Sequence, residues 1–250
     1  MAHKTLINGT AYAVKGGRDL IAGTGYAKKQ GKTLIDGTEH AISFGIPMNT
    51  ITPGAILYLN ESSSPVPFYI AKHDYESGLN GAGRTLVVRK DCYDMRVFNS
   101  SNNAYANSSL DSWLCNTYLK LLDADIQAAI GTTKFYYTPG NGDMTVTTLQ
   151  RAVFQLSTTE LGKTPKYANT EGSALPIEST LQIAYRNGSA VSQWTRTPIK
   201  GDTNRVFFLS AYGSVSSRSY TESFGSRSAF TLPATLAVIA NADGTYSLVS

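Results

Sequence analysis

The sequence predicts an α+β protein: short N-terminal β-hairpin repeats, then two helices packed on a mixed, mostly antiparallel sheet. Three observations predict it. Only 16% of the 250 residues are charged, while 15 are Tyr and 22 are Gly, a mix that suits sheets, turns and long ordered loops. The first 45 residues repeat with a period of 14. Residues 109–130 carry helical periodicity, and runs of β-branched and aromatic residues flank them.

The repeat comes first in the chain. Lys4-Thr5-Leu6-Ile7-Asn8-Gly9-Thr10 aligns with Arg18-Asp19-Leu20-Ile21-Ala22-Gly23-Thr24 and with Lys32-Thr33-Leu34-Ile35-Asp36-Gly37-Thr38. Asn8-Gly9 and Asp36-Gly37 supply the positive φ of a two-residue hairpin turn. A lone hairpin is marginal in water. Residues 1–45 are therefore expected to be ordered by a partner surface or by other copies of the chain, with Leu6, Ile7, Leu20, Ile21, Leu34 and Ile35 as the anchoring positions. A homo-oligomer is expected.

Residues 46–250 form the main domain. Pro and Gly make 46–54 read as a linker. Strands are expected at 55–59, 66–71 and 85–89. In 109–130, Leu110, Trp113, Leu114, Tyr118 and Leu121 fall on one apolar face, with Ser109 as cap. A second helix follows Asp123 and stops at Gly131. Residues 149–156 fit strand or helix. Strands are expected again at 180–185, 205–210 and 235–240, and Asp243-Gly244 turns the chain into 245–249. Residues 211–227, rich in Ser, Tyr and Gly, lack the apolar content of a core strand and read as short strands pinned under long polar loops.

Few arrangements support chemistry. The chain has three His, and only His73 could serve as a base. There is no Cys-x-x-Cys, His-Glu-x-x-His or calcium-loop pattern. The run Asn80-Gly81-Ala82-Gly83-Arg84-Thr85 lacks the Gly-Lys-Ser/Thr ending of a phosphate loop. No catalytic residue, metal or cofactor is expected. Cys92 and Cys115 read as two small buried residues. Net charge is +4, but the basic residues are scattered, so nucleic-acid binding is not expected. No apolar run reaches the roughly 18 residues of a membrane helix, and Met1-Ala2-His3-Lys4 does not open a signal peptide. What remains is the stretch 187–227, whose Trp, Tyr and Arg among Ser, Gly and Asn match the composition of antibody paratopes. Its candidate ligand-binding residues are Tyr212, Ser214, Ser216, Arg218 and Tyr220, while Trp194 and Phe208 read as core.

Two features carry a resemblance. The repeated Lys-Thr-Leu-Ile-Asp-Gly-Thr unit resembles N-terminal arms of structural proteins of tailed bacteriophages and prophages, particularly of gut Firmicutes. The segment Ser109-Leu110-Asp111-Ser112-Trp113-Leu114-Cys115-Asn116-Thr117-Tyr118-Leu119, the element Trp194-Thr195-Arg196-Thr197-Pro198, Gly213 and the run Gly225 to Pro233 resemble a domain common in those phages and their hosts. That domain is similar to C-type-lectin-like and formylglycine-generating-enzyme folds, which display variable residues on a fixed scaffold. Thr197 and Cys115 depart from its usual pattern. The cysteine pair of a formylglycine-generating oxidase and the acidic triplets of calcium lectins are missing. Trp113, Trp194, Arg196, Arg227 and Phe230 are the structural motif that the resemblance marks. Arg196 and Arg227 are expected to fasten loops, since one guanidinium can bind several carbonyls.

The function expected is that of a non-enzymatic bacteriophage virion protein. Residues 1–45 would attach it to other virion proteins, and a C-type-lectin-like domain would bind a host-surface glycan or protein. The alternative is a purely architectural capsid, collar or tail decoration protein. Either would be made in the bacterial cytoplasm and end in the virion.

Overall fold

The computed structural model describes residues 4–7, 10–13, 31–35, 38–42 and 45–249. Strands hold 39% of the chain and helices 14%, so mixed sheets with few helices carry the core. At the N-terminus, β1 (Lys4–Ile7) pairs antiparallel with β2 (Thr10–Ala13), and β3 (Gly31–Ile35) with β4 (Thr38–Ile42). Ile7 lies opposite Thr10 and Ile35 opposite Thr38. The middle repeat, with Leu20 and Ile21, lies outside the described residues.

Residues 46–54 are not a linker. β5 (Ile46–Pro47) joins the edge of the larger sheet, and Met48 and Ile51 are buried in the core. The apolar residues decide the outcome, because Pro47 on an edge strand removes no interior ladder bond. β6 (Ile56–Glu61) and β7 (Ser64–His73) form a hairpin. Its turn residues Ser62 and Ser63 both have positive φ, 52° and 61°, as a type I′ turn requires. The short helix α1 (Ser77–Asn80) and β8 (Arg84–Arg89) follow, and β9 (Met95–Val97) crosses to the second sheet.

The helical segment is three pieces: α2 (Ser109–Asn116), a 3₁₀ turn at Tyr118–Leu121, and α3 (Ala124–Ala129). The cap is Ser108 rather than Ser109, its Oγ accepting from the Asp111 N–H at 3.0 Å. Leu110, Leu114 and Tyr118 are buried, but Trp113 and Leu121 are half-buried. α3 stops one residue before Gly131, at an extended Ile130.

After β10 (Thr133–Tyr137), β11 (Thr147–Arg151) and β12 (Val153–Phe154) make most of 149–154 strand, while 155–156 are irregular; Phe154 and Leu156 are buried. The single strand expected at 180–185 is instead α4 (Glu178–Leu181) followed by β13 (Ala184–Arg186). Tertiary bonds override propensity there: the Leu181 carbonyl accepts from Arg227 at 2.7 Å and from Gln193 at 2.8 Å. β14 (Ser189–Val191) closes a hairpin through Asn187-Gly188, both at positive φ. β15 (Gln193–Pro198), β16 (Arg205–Leu209), β17 (Val215–Ser219), β18 (Ser223–Gly225), β19 (Ala229–Pro233), β20 (Ala237–Ala240) and β21 (Tyr246–Leu248) complete the chain.

Short strands do occur in 211–227, and one of them, β17, takes up Val215–Ser219 of the loop expected at 212–220. β17 pairs with β16 from Val215 to Ser219, with Ser216 and Arg218 exposed and Ser217 buried. An edge strand needs no apolar outer face, so ladder bonds and one covered side can hold a Ser-rich sequence.

Two mixed sheets result. The larger runs β12-β19-β8-β7-β6-β21-β20-β5 and the smaller β17-β16-β15-β18-β9. Each has one parallel junction, β21 with β6 and β15 with β18. Trp194 is fully buried, its ring 5.5 Å from Phe98 and 4.6 Å from Phe224. Phe230 on β19 is likewise buried and meets Phe68 edge-on.

Candidate functional site

The candidate surface depends on how irregular segments are held. Residues 155–177 contain no strand, yet most of 153–161 is buried, and buried backbone needs partners. Arg196 on β15 supplies several. It donates to the Gln155 carbonyl at 2.9 Å, to the Tyr136 carbonyl at 3.1 and 2.8 Å, and to Glu160 at 2.6 Å. Glu160 also accepts from the Ser157 N–H at 2.7 Å and from the Tyr75 hydroxyl. Glu171 lies 3.9 Å from Arg196 and accepts from the Thr138 N–H and the Thr197 hydroxyl, both at 2.7 Å.

One guanidinium thus sits between two carboxylates in a dry interior. Burial pushes the Glu171 carboxyl up, against the opposing pull of Arg196. Burial and the neighbouring Glu160 push the Tyr75 phenol well up, so it remains a donor. Burial alone would lower Arg196, but Glu160, Tyr75 and Glu171 together raise it.

Arg227 fastens a second junction without a carboxylate. It donates to the carbonyls of Arg89 at 2.8 Å, Lys90 at 2.7 Å and Leu181 at 2.7 Å. Burial lowers its pKa from the ordinary value. The bonds tie β8, the turn after it and α4 to the start of β19. Trp113 differs from these interior residues: its half-buried ring lies under the Arg96 guanidinium at 3.6 Å and packs on Tyr93 and Tyr118.

On this frame Tyr212 stands at the tip of the β16–β17 turn, 88% exposed. The turn is closed by Ser210 N–H to Ser214 carbonyl at 2.8 Å and Gly213 N–H to Ser210 carbonyl at 2.9 Å. Gly213 has φ +74° and packs against Gln182 and Ile183. Ser214, Ser216 and Arg218 follow, all exposed. Tyr220 is set apart from them. It is half-buried against the core, and its carbonyl accepts from the Phe98 and Asn99 N–H groups at 3.0 and 3.1 Å. The structure therefore sets Tyr212 at the tip of the hairpin and Ser214, Ser216 and Arg218 in an exposed row along it, with Arg218 toward the far end, and gives Tyr220 a packing role.

Sequence reasoning missed Ile183 and Tyr185, exposed apolar residues on the segment that borders the Tyr212 turn. The signal was present in Asn187-Gly188, a hairpin turn that places this segment at the surface. Of the anchor positions, Leu6 and Ile7 lie in β1 and Leu34 and Ile35 in β3.

The remaining reactive groups are structurally engaged. His73 Nε2 lies 2.7 Å from the Ile51 carbonyl and Nδ1 2.9 Å from the Thr85 hydroxyl. Burial pushes the Cys92 thiol up to about 11, and the half-buried Cys115 thiol donates to the Val153 carbonyl at 3.3 Å. Both cysteines are free. Among the described residues, no three His, Cys, Asp or Glu side chains converge as metal ligands, and no helix is long and apolar enough to cross a membrane.

A protein-family profile described as "Domain of unknown function (DUF6273)" matches residues 82–234. No curated protein and no solved structure matches the chain. The matched span runs from the turn before β8 to the end of β19, and includes both loop-fastening arginines and the Tyr212 turn.

Proposed function

The chain belongs to the DUF6273 family, and on that premise we propose that it is a non-enzymatic bacteriophage virion protein that presents a C-type-lectin-like domain to the host surface. The observation that carries the reading is the exposed Tyr212 turn, with Ser214, Ser216 and Arg218 exposed in a row along the strand that leaves it, standing on a frame whose irregular segments are clamped from inside by Arg196 and Arg227. Rigid aromatic area beside adaptable hydroxyls and one guanidinium suits a glycan or protein ligand. Fixed loops favour binding because less conformational freedom is lost on contact. The N-terminal hairpins, which resemble phage structural arms, are the proposed attachment to other virion proteins and to further copies of the chain.

The attachment is tested by deleting residues 1–44 and probing purified particles for the chain by immunoblot. The reading expects the shortened chain to fold and to be missing from particles. Normal incorporation overturns the anchoring role. A purely architectural role would leave particles fragile on deletion of the whole chain, with no saturable binding of the purified protein to host cells.

A further inference from the structure

Arg196, Glu160 and Glu171 are all fully buried, so two carboxylates share one guanidinium in an interior that screens charge poorly. The geometry divides them unequally. Every hydrogen bond that Arg196 makes goes to Glu160 or to the carbonyls of Tyr136 and Gln155, and none to Glu171. Glu160 also accepts from the Ser157 N–H and the Tyr75 hydroxyl, surroundings that suit an ionised carboxylate. Glu171 has only neutral donors, the Thr138 N–H on Oε1 and the Thr197 hydroxyl on Oε2, and stands 3.9 Å from Arg196. An ionised Glu171 would be a buried charge without a partner of its own, and a group in that position takes up a proton instead.

The surroundings of Oε2 can hold that proton. Oε1 must accept, because its partner is a backbone N–H. The partner of Oε2 is a hydroxyl at 2.7 Å, and a hydroxyl accepts as well as it donates. Thr197 Oγ lies 3.4 Å from Thr158 Oγ, so the Thr197 hydroxyl can turn there when Glu171 Oε2–H donates to it. Burial outweighs Arg196, Thr138 and Thr197 and pushes the Glu171 carboxyl up. The same residue ties the irregular segment together. Its side chain joins Thr138, just after β10, to Thr197 on β15. Its N–H donates to the Thr159 hydroxyl and its carbonyl accepts from the Ser157 hydroxyl, both at 3.0 Å.

We propose that Glu171 is a proton-operated latch: protonated, it holds residues 155–177 against β10 and β15, and ionised, it loosens them. The proton comes from solvent, and only the O–H bond at Oε2 forms or breaks. The charged and titratable groups on the elements around it are Arg196 on β15, Glu160 within the segment, Tyr136 on β10, Lys72 on β7, and Tyr75 and Glu76 just after β7. The folded chain binds the proton more tightly than the unfolded chain. The stabilisation is therefore fully present below the ordinary carboxylate range and is lost as pH rises through the raised folded value. The latch tightens on acidification. Glu76, next to Gly172 in space, is also pushed up by burial, with Lys72 opposing, so the two glutamates must be separated by experiment. The latch is independent of what the outer face binds.

The test follows the assigned Glu171 side-chain carboxyl carbon of the isotope-labelled full chain by NMR between about pH 4 and about pH 8. Hydrogen exchange is measured alongside at the bonded amides of Lys163, Glu171 and Leu175, in wild type, Glu171→Gln and Glu76→Gln. The expected result is a Glu171 carboxyl that titrates above the ordinary glutamate range. Protection of the three amides, corrected for intrinsic exchange, should fall about tenfold or more from about pH 5 to about pH 8. Glu171→Gln keeps an acceptor for Thr138 and sets a donor toward Thr197, so its protection should stay level over that range, while Glu76→Gln should follow wild type. The carboxyl titration needs no variant and stands even if Glu171→Gln fails to fold. A Glu171 carboxyl that titrates at or below the ordinary range overturns the proposal. So does protection that is level in wild type, or a fall that Glu76→Gln removes and Glu171→Gln keeps.

Discussion

Arg196 shows how one residue can hold a segment that has no secondary structure. Its side chain reaches two backbone carbonyls and Glu160, and Glu171 stands 3.9 Å away. Truncating a buried ion-pair partner strands the opposite charge, at about 3–5 kcal/mol. Arg196→Ala is expected to lose that much stability in urea unfolding, whereas a loss below about 1 kcal/mol would mean the network is dispensable. Trp113 and Trp194 should separate in the same assay. Trp194→Ala opens a cavity in the fully buried core, at about 3–5 kcal/mol. Trp113→Ala should cost less, because its ring is half-buried beneath Arg96. Cys92 gives a pH signature. Its thiol sits at about 11 in the fold against 9.0 for a free thiol. The folded protein therefore holds the proton more tightly than the unfolded chain, and this contribution is present below pH 9 and lost as pH rises toward 11. Two units correspond to about 2–3 kcal/mol. Cys92→Ala should flatten the fall in stability between pH 8.5 and 10, before the buried tyrosines dominate; an unchanged slope would contradict the assignment.

At the scale of elements, capping and edge position decide more than composition does. Ser108 caps α2, so Ser108→Ala should cost about 1 kcal/mol by denaturation, and Ser109→Ala nearly nothing. The reverse order would restore Ser109 as the cap. Ile46–Pro47 belongs to the larger sheet, and Met48 and Ile51 to the core. A chain starting at Gly45 should therefore melt like the full protein, while one starting at Thr52 should be strongly destabilised. The strands at 56–61, 64–73, 84–89 and 205–209 were legible because their apolar runs are buried in interior strands. Residues 46–54 were misread because Pro and Gly dominate local signals, whereas burial of Met48 and Ile51 is decided by distant strands. β15 escaped notice because Gln193, Thr195, Arg196 and Thr197 look polar, yet each is buried and bonded. In the candidate surface, the composition around 212–218 was readable. The removal of Tyr220 from that surface was not, since it follows from its fit beside Phe98 and Asn99.

In the whole molecule an inner frame carries an outer face. Clamping arginines and two mixed sheets keep the frame fixed, and the Tyr212 turn with β17 forms the face. Tyr212 and Arg218 are exposed and should carry little of the fold's stability, since surface changes usually fall within about 0.5 kcal/mol each. The most direct test of the central claim is saturable binding of the labelled full chain to host cells, wild type against Tyr212→Ala/Arg218→Ala, with melting temperature and oligomeric mass measured on both proteins. The account predicts lost binding at an unchanged mass and a melting temperature within a few degrees. Retained binding, or loss accompanied by a change in oligomeric mass, would contradict it.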